Sequence, residues 1–131
     1  MVITQGDIFW ASLSRSPTGS EPGSKRPVVV VQRDSINRSK FNTVVVVPLT
    51  KQTKHVNLPG NVLLRKGDAN LPRQSLARTT HIMVIDKNRL IEKIGTLPKI
   101  KTKEIIINIM WVLGEEGHEN GAYENGENDA R

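Results

Sequence analysis

Two residues of this chain stand where their chemistry could matter. Arg26 precedes Pro27 at the entrance of the run Val28-Val29-Val30-Val31, and Thr50 closes the run Val44-Val45-Val46-Val47-Pro48-Leu49. Proline fixes its own φ and confines the residue before it to extended backbone, so the Arg26 side chain is aimed. A guanidinium so held can grip a phosphate through two parallel hydrogen bonds and stabilise charge that grows on it. A threonine hydroxyl can donate to a phosphoryl oxygen. Taken singly, each has an ordinary explanation: an edge-strand arginine, and a strand-ending hydroxyl that caps a turn. Only their pairing lifts either one above it.

The elements that would pair them are the two valine runs. Unbroken β-branched stretches suit strands buried on both faces. The connection from about Gln32 to Asn42 is short for a crossover with a full helix, so antiparallel neighbours are expected. Antiparallel pairing brings the start of one strand beside the end of the next, and Arg26 and Thr50 should then meet at the same margin of the sheet.

Around this pair the pattern predicts a first strand over Ile8, Trp10 and Ser12 to Leu13. A loop rich in Ser, Gly and Pro follows from Ser14 to Ser24, bordering Arg26 as a possible clamp. Lys51 to His55 is polar and basic. Val62 to Leu64 reads as a short strand and Lys66 to Pro72 as a turn. One strand is expected from Ser75 to Ile85, with Val84 and Ile85 buried. Asp86 to Leu90 reads as a turn or a single helical turn, and Ile91 to Ile94 as a last short strand. A helix begins at Leu97-Pro98 and stops near Leu113 before Gly114, with Ile105, Ile109, Val112 and Leu113 on one stripe and Ile106 and Met110 flanking it.

Bulk properties narrow the partners. The 131 residues suffice for one domain. Cysteine is absent, which excludes disulfides and thiolate metal sites. The N-terminus lacks a signal-peptide pattern and no apolar run is long enough to span a bilayer, so a cytoplasmic protein without a membrane partner is expected. Six of the thirteen acidic residues and one of the nineteen basic ones lie from Gly114 onward. Residues 1–113 therefore carry 18 basic against 7 acidic groups, a net of +11 within an overall +6. A body that basic either attracts a polyanion or simply keeps the surface solvated. His55, His81 and His118 show no metal-ligand spacing, and Gly19 and Gly23 lack the strand-to-helix context of a phosphate loop.

Several blocks in order resemble the MazF/PemK family of toxin–antitoxin endoribonucleases: Gly6-Asp7-Ile8-Phe9-Trp10, Gly23-Ser24-Lys25-Arg26-Pro27-Val28-Val29-Val30, Val47-Pro48-Leu49-Thr50, Asn61-Val62-Leu63-Leu64 and Ile85-Asp86-Lys87-Asn88-Arg89-Leu90. The resemblance spans about Gly6 to Leu113. It implies an α+β, mainly β fold, a small SH3-like (CcdB/PemK-type) barrel with a C-terminal helix, assembled as a homodimer. It implies cleavage of single-stranded RNA without a metal or other cofactor, and neutralisation by an acidic antitoxin protein. Arg26 and Thr50 match the family's catalytic arginine and threonine. Lys25, Lys51, Lys54, His55 and His81 form the expected substrate-binding set. His81 stands where members often carry a glutamine, so it could read RNA or move protons. The rival functions are a toxin of the same fold that inhibits a topoisomerase by protein contact, and a plain RNA-binding module.

The expected domain is residues 1–113, followed by an acidic tail, 114–131, with too few apolar residues to repay its ordering. Six carboxylates tethered to a basic body could compete for the RNA surface; a solubilising tail would not. A tail without that role predicts equal RNA affinity, across a salt series, for the full chain and a chain ending at Gly114. Tighter binding by the shortened chain at low salt, where screening is weak, would make the tail a competitor.

Overall fold

A computed structural model describes residues 1–13 and 25–115. The expected clamp loop at Ser14 to Ser24, and the tail after Glu115, lie outside these residues. Seven antiparallel strands form one sheet: β1 (Asp7–Ser12), β2 (Lys25–Val30), β3 (Thr43–Thr50), β4 (Asn61–Leu64), β5 (Ser75–Arg78), β6 (Met83–Asp86) and β7 (Leu90–Thr96). The spatial order is β4-β5-β3-β2-β1-β7, with β6 also paired to β3. The mainly β fold with a C-terminal helix expected from the sequence is therefore present. The hydrogen-bonded ladders leave the sheet open, with β4 and β7 at its ends.

The two valine runs become β2 and β3, the centre of the sheet. Side chains alternate along a strand, and here both faces are apolar. Val29, Val31, Val47 and Leu49 join one core with Ile105 and Ile109 of the helix α2 (Lys99–Val112). Val28, Val30, Val44 and Val46 join a second core with Phe9, Ala11, Ile85 and Leu90 on the opposite face.

A run apolar on both faces does not choose its own register, because a one-residue slip would still bury valines. A polar cluster in the β2–β3 connection chooses it. Within that connection a single helical turn, α1 (Asp34–Asn37), carries the buried Asn37 opposite the buried Gln32. Gln32 Nε2 donates to Asn37 Oδ1 at 2.9 Å and to the Thr43 carbonyl at 3.3 Å, while Gln32 Oε1 accepts from the Val45 N–H at 3.3 Å. Asn37 Nδ2 donates to the Gln32 carbonyl at 2.8 Å and to Asp34 Oδ1 at 3.1 Å. The Gln5 N–H also donates to Asp34 Oδ1, at 2.7 Å, and holds that carboxyl below the usual aspartate range. The resulting register sets Val28 against Pro48, Val29 against Val47 and Val30 against Val46.

A second fastening joins the N-terminus to the far side of the sheet. The buried Asp7 carboxylate accepts from the Thr4 N–H at 2.9 Å and from Thr96 Oγ1 at 2.6 Å. Gly6 beside it has φ +97°, and a Cβ there would stand 2.6 Å from Thr102 Oγ1 of α2, so both the turn and the helix contact require glycine.

Four local expectations are corrected. The stretch from Ser75 to Ile85 is two strands, β5 and β6, separated by a 3₁₀ turn at Thr79–His81. Val84 is 62% exposed rather than buried, because it projects from the uncovered face of β6 while Ile85 points into the core. The last strand is longer than Ile91 to Ile94, since β7 pairs along β1 from Asp7 to Ala11. Leu113 is 68% exposed because it is the C-cap residue, beyond the last helical turn that packs on the sheet. The chain then turns at Gly114 (φ +93°), in the left-handed conformation that commonly ends helices.

Replacing Asn37 with Ala removes two donors and an acceptor from this buried cluster, and leaves the Gln32 carbonyl without the Asn37 amide and Gln32 Nε2 with the Thr43 carbonyl alone. Each buried polar group so stranded costs about 1–3 kcal/mol. The expected result is an Asn37→Ala protein about 2 kcal/mol less stable by denaturant titration, with an unchanged m-value. A midpoint equal to wild type would show that the cluster does not hold the connection.

Candidate active site

The register places the two singled-out residues. The β2–β3 ladder is paired from Val30–Val46 to Val28–Pro48, and Arg26 and Thr50 each lie two residues past its last pair, at the same end of the two central strands. Alternation assigns Arg26 to the face of Val28 and Val30, and Thr50 to the face of Val44 and Val46, so both lie on the face away from α2. Arg26 is exposed and its Nη1 donates to the Lys25 carbonyl at 3.3 Å. Thr50 is half-buried. Its Oγ1 accepts from the Gln52 N–H at 3.2 Å, so the hydroxyl proton is available to an incoming oxygen. Together they offer a cation and a hydroxyl donor on a rigid, buried scaffold.

Lys25 lies beside them with Nζ 5.1 Å from the centroid of the Trp10 ring on β1. This cation–π contact orients an ammonium that would otherwise sweep freely. Lys51 leaves β3 directly after Thr50 and is exposed. Lys54 and His55 lie further along the β3–β4 connection, both exposed. There the Leu58 N–H and Asn61 Nδ2 donate to the His55 carbonyl at 3.0 and 2.8 Å. These bonds hold the His55 backbone and leave its imidazole in solvent.

His81 reaches the region by a device the sequence did not reveal. Leu49 faces Ala77 and Val46 faces Met83, so three steps along β3 match six along its partner. The three extra residues are the 3₁₀ turn Thr79–His81, extruded beside Val47 and Pro48. The turn is locked from beneath. Thr79 is fully buried and its Oγ1 donates to the Gly60 carbonyl at 2.5 Å. Gly60 has φ +88°, and a Cβ there would stand 2.7 Å from Thr79 Oγ1 and 3.0 Å from Val112 of α2. His81 itself is exposed, with Nδ1 3.0 Å from Thr80 Oγ1. The structure therefore gathers Arg26, Thr50, Lys25 and Lys51 at one end of β2 and β3. It carries His81 on a separate ledge along β3 and leaves Lys54 and His55 on the outer connection.

Residues 4–113 match the family profile of the PemK-like, MazF-like toxin of type II toxin–antitoxin systems. The chain belongs to that family. Endoribonuclease MazF2 of Mycobacterium bovis is 37% identical over 113 residues, covering 86% of this chain and 98% of the relative. Endoribonuclease MazF6 of Mycobacterium tuberculosis gives the same identity and coverage. The fold of this PemK-like chain also matches a solved structure described as an endoribonuclease from mycobacterial species, with a TM-score of 0.71 at 18% identity, covering 90% of this chain and 97% of that one.

Proposed function

We propose that this protein is a sequence-specific endoribonuclease toxin that cuts single-stranded RNA without a metal ion. The observation that carries the activity is the 37% identity to endoribonucleases across 98% of their length. The position of Arg26 and Thr50 at the same end of β2 and β3 supports the assignment of those two residues to catalysis.

In the proposed reaction a ribose 2′-hydroxyl attacks the adjacent phosphorus in line. The 2′-oxygen–phosphorus bond forms, the bond to the 5′-oxygen breaks, and the products are a 2′,3′-cyclic phosphate and a free 5′-hydroxyl. One proton leaves the attacking oxygen and one reaches the departing oxygen. Negative charge gathers on the non-bridging oxygens. Arg26 offsets it through a bidentate contact, and Thr50 donates its hydroxyl proton to one of those oxygens. The high pKa of a guanidinium suits this electrostatic role better than proton removal. Lys25, Lys51, Lys54 and His55 attract and hold the phosphate backbone, a salt-sensitive contribution. His81 reads the RNA from its ledge.

Membership of a toxin–antitoxin family supports neutralisation by an antitoxin; in the proposed function the protein is a homodimer that acts in the cytoplasm. An acidic, initially disordered antitoxin segment would compete with RNA for the basic surface, so the two should exclude each other.

Cleavage assays on the wild type and on single variants test these assignments. Long RNA incubated with the purified protein in EDTA should be cut. Arg26→Ala should slow cleavage by about 10²–10³-fold, the effect of losing one charge-stabilising donor, with the fold intact. Thr50→Ala should slow it less, since water can replace a hydroxyl donor. Wild-type rates in a folded Arg26→Ala protein would remove Arg26 from the mechanism. His81→Gln should shift the distribution of cut sites on a random RNA pool. An unchanged profile together with an unchanged pH–rate curve would take His81 out of the site.

A further inference from the structure

Beside Thr50 the surface opens into a hollow of about 420 Å³ lined by Lys51, Gln52, Thr53, Arg73 and Gln74. Its walls come from two segments that the Thr50–Leu76 pair brings together: the chain leaving β3 and the chain entering β5. The hollow is fastened to the proposed catalytic hydroxyl, because the Gln52 N–H donates to Thr50 Oγ1 at 3.2 Å. It is an open depression at the surface rather than an enclosed cavity, a shape that suits one unit of an extended strand.

The lining is chemically selective. Lys51 and Arg73 supply cations, and among the described residues no acidic or aromatic side chain lines the hollow. Gln52 and Gln74 each carry a donor and an acceptor on one planar amide, so each can meet both kinds of group on a nucleobase edge. An acidic peptide would need the cations alone. A pair of amides beside two cations fits a nucleotide, whose phosphate takes the cations and whose base takes the amides. Without an aromatic platform the base is read on its edge rather than by stacking.

We propose that this hollow binds a nucleotide next to the scissile phosphate, with Gln52 and Gln74 reading its base and Lys51 and Arg73 holding its phosphate. The inference rests on the RNA-cleaving function proposed above and adds to it a base-selecting subsite. Neither amide belongs to the expected set of site residues, and Arg73 is a new cation at the site.

The test uses the full-length protein, a random RNA pool and EDTA, with cut sites mapped by sequencing. Gln52→Ala, Gln74→Ala and the double variant should relax base preference at one position beside the cut by about five-fold or more. Lys51→Ala and Arg73→Ala should instead weaken RNA binding for all sequences, and each should reduce the slope of log affinity against log salt by about 0.7. These side chains are on the surface, so wild-type unfolding midpoints are expected and would confirm that the variants are folded. If the wild type cleaves and the variants keep its cut-site profile and salt slope, the inference fails while the nuclease function stands. An unchanged profile with weaker neutralisation by the antitoxin would assign the hollow to the protein partner and overturn the inference. No cleavage by the wild type would strike the nuclease function itself.

Discussion

The buried Gln32–Asn37 cluster is the constraint on which the site depends. The central strands are apolar on both faces, so hydrophobic burial drives β2 and β3 together without favouring one register over its neighbours. Buried amides are less tolerant. Gln32 and Asn37 have donors and acceptors to satisfy, and they do so on each other, on the Thr43 carbonyl and on the Val45 N–H. A slipped register would strand them at a cost of about 1–3 kcal/mol for each group. The cluster sits at one end of the ladder and Arg26 and Thr50 at the other. Polar satisfaction at the first end thus sets the geometry of the second.

The same logic shapes the ledge that carries His81. Extruding three residues from a strand takes backbone groups out of the ladder, and two bonds brace the turn locally. The Ile82 N–H donates to the Thr79 carbonyl at 3.2 Å, and the buried Thr79 hydroxyl satisfies the Gly60 carbonyl. The close approach of Gly60 to Thr79 and to Val112 ties the ledge to the β3–β4 connection and to α2. The result is an exposed imidazole on an ordered support, which suits a residue that contacts substrate rather than one that builds the core.

Electrostatics act over this scaffold at two ranges. The net +11 of residues 1–113 draws a polyanion toward the protein, an effect that fades as salt screens it. Close to the strand ends, individual cations are given direction: Lys25 by the Trp10 ring, and Arg26 by the restraint of Pro27 and the bond to the Lys25 carbonyl. On the proposed function, long-range attraction would bring RNA to the surface and these short-range restraints would align it there.

Several features were legible in the residues alone because they rest on local chemistry. Valine runs buried on both faces, a short connection between antiparallel strands, the Arg26-Pro27 restraint and a helix stopped at Gly114 each need only a few neighbouring side chains to be recognised. The charge division at Gly114 is likewise a property of the sequence. Tertiary structure decided what depends on partners distant in the chain. The break at Thr79–His81 was hidden because Thr79 and Gly60 are nineteen residues apart and meet only when β4 pairs with β5. The exposure of Val84 follows from a sheet face that no element among the described residues covers, and that of Leu113 from a helix whose packing ends before its sequence pattern does. Gln52, Arg73 and Gln74 read as ordinary polar connection residues until the Thr50–Leu76 pair sets the two segments side by side. Sequence determined which groups could do chemistry; the register of the sheet decided which of them meet, because register depends on satisfying polar groups across the whole fold.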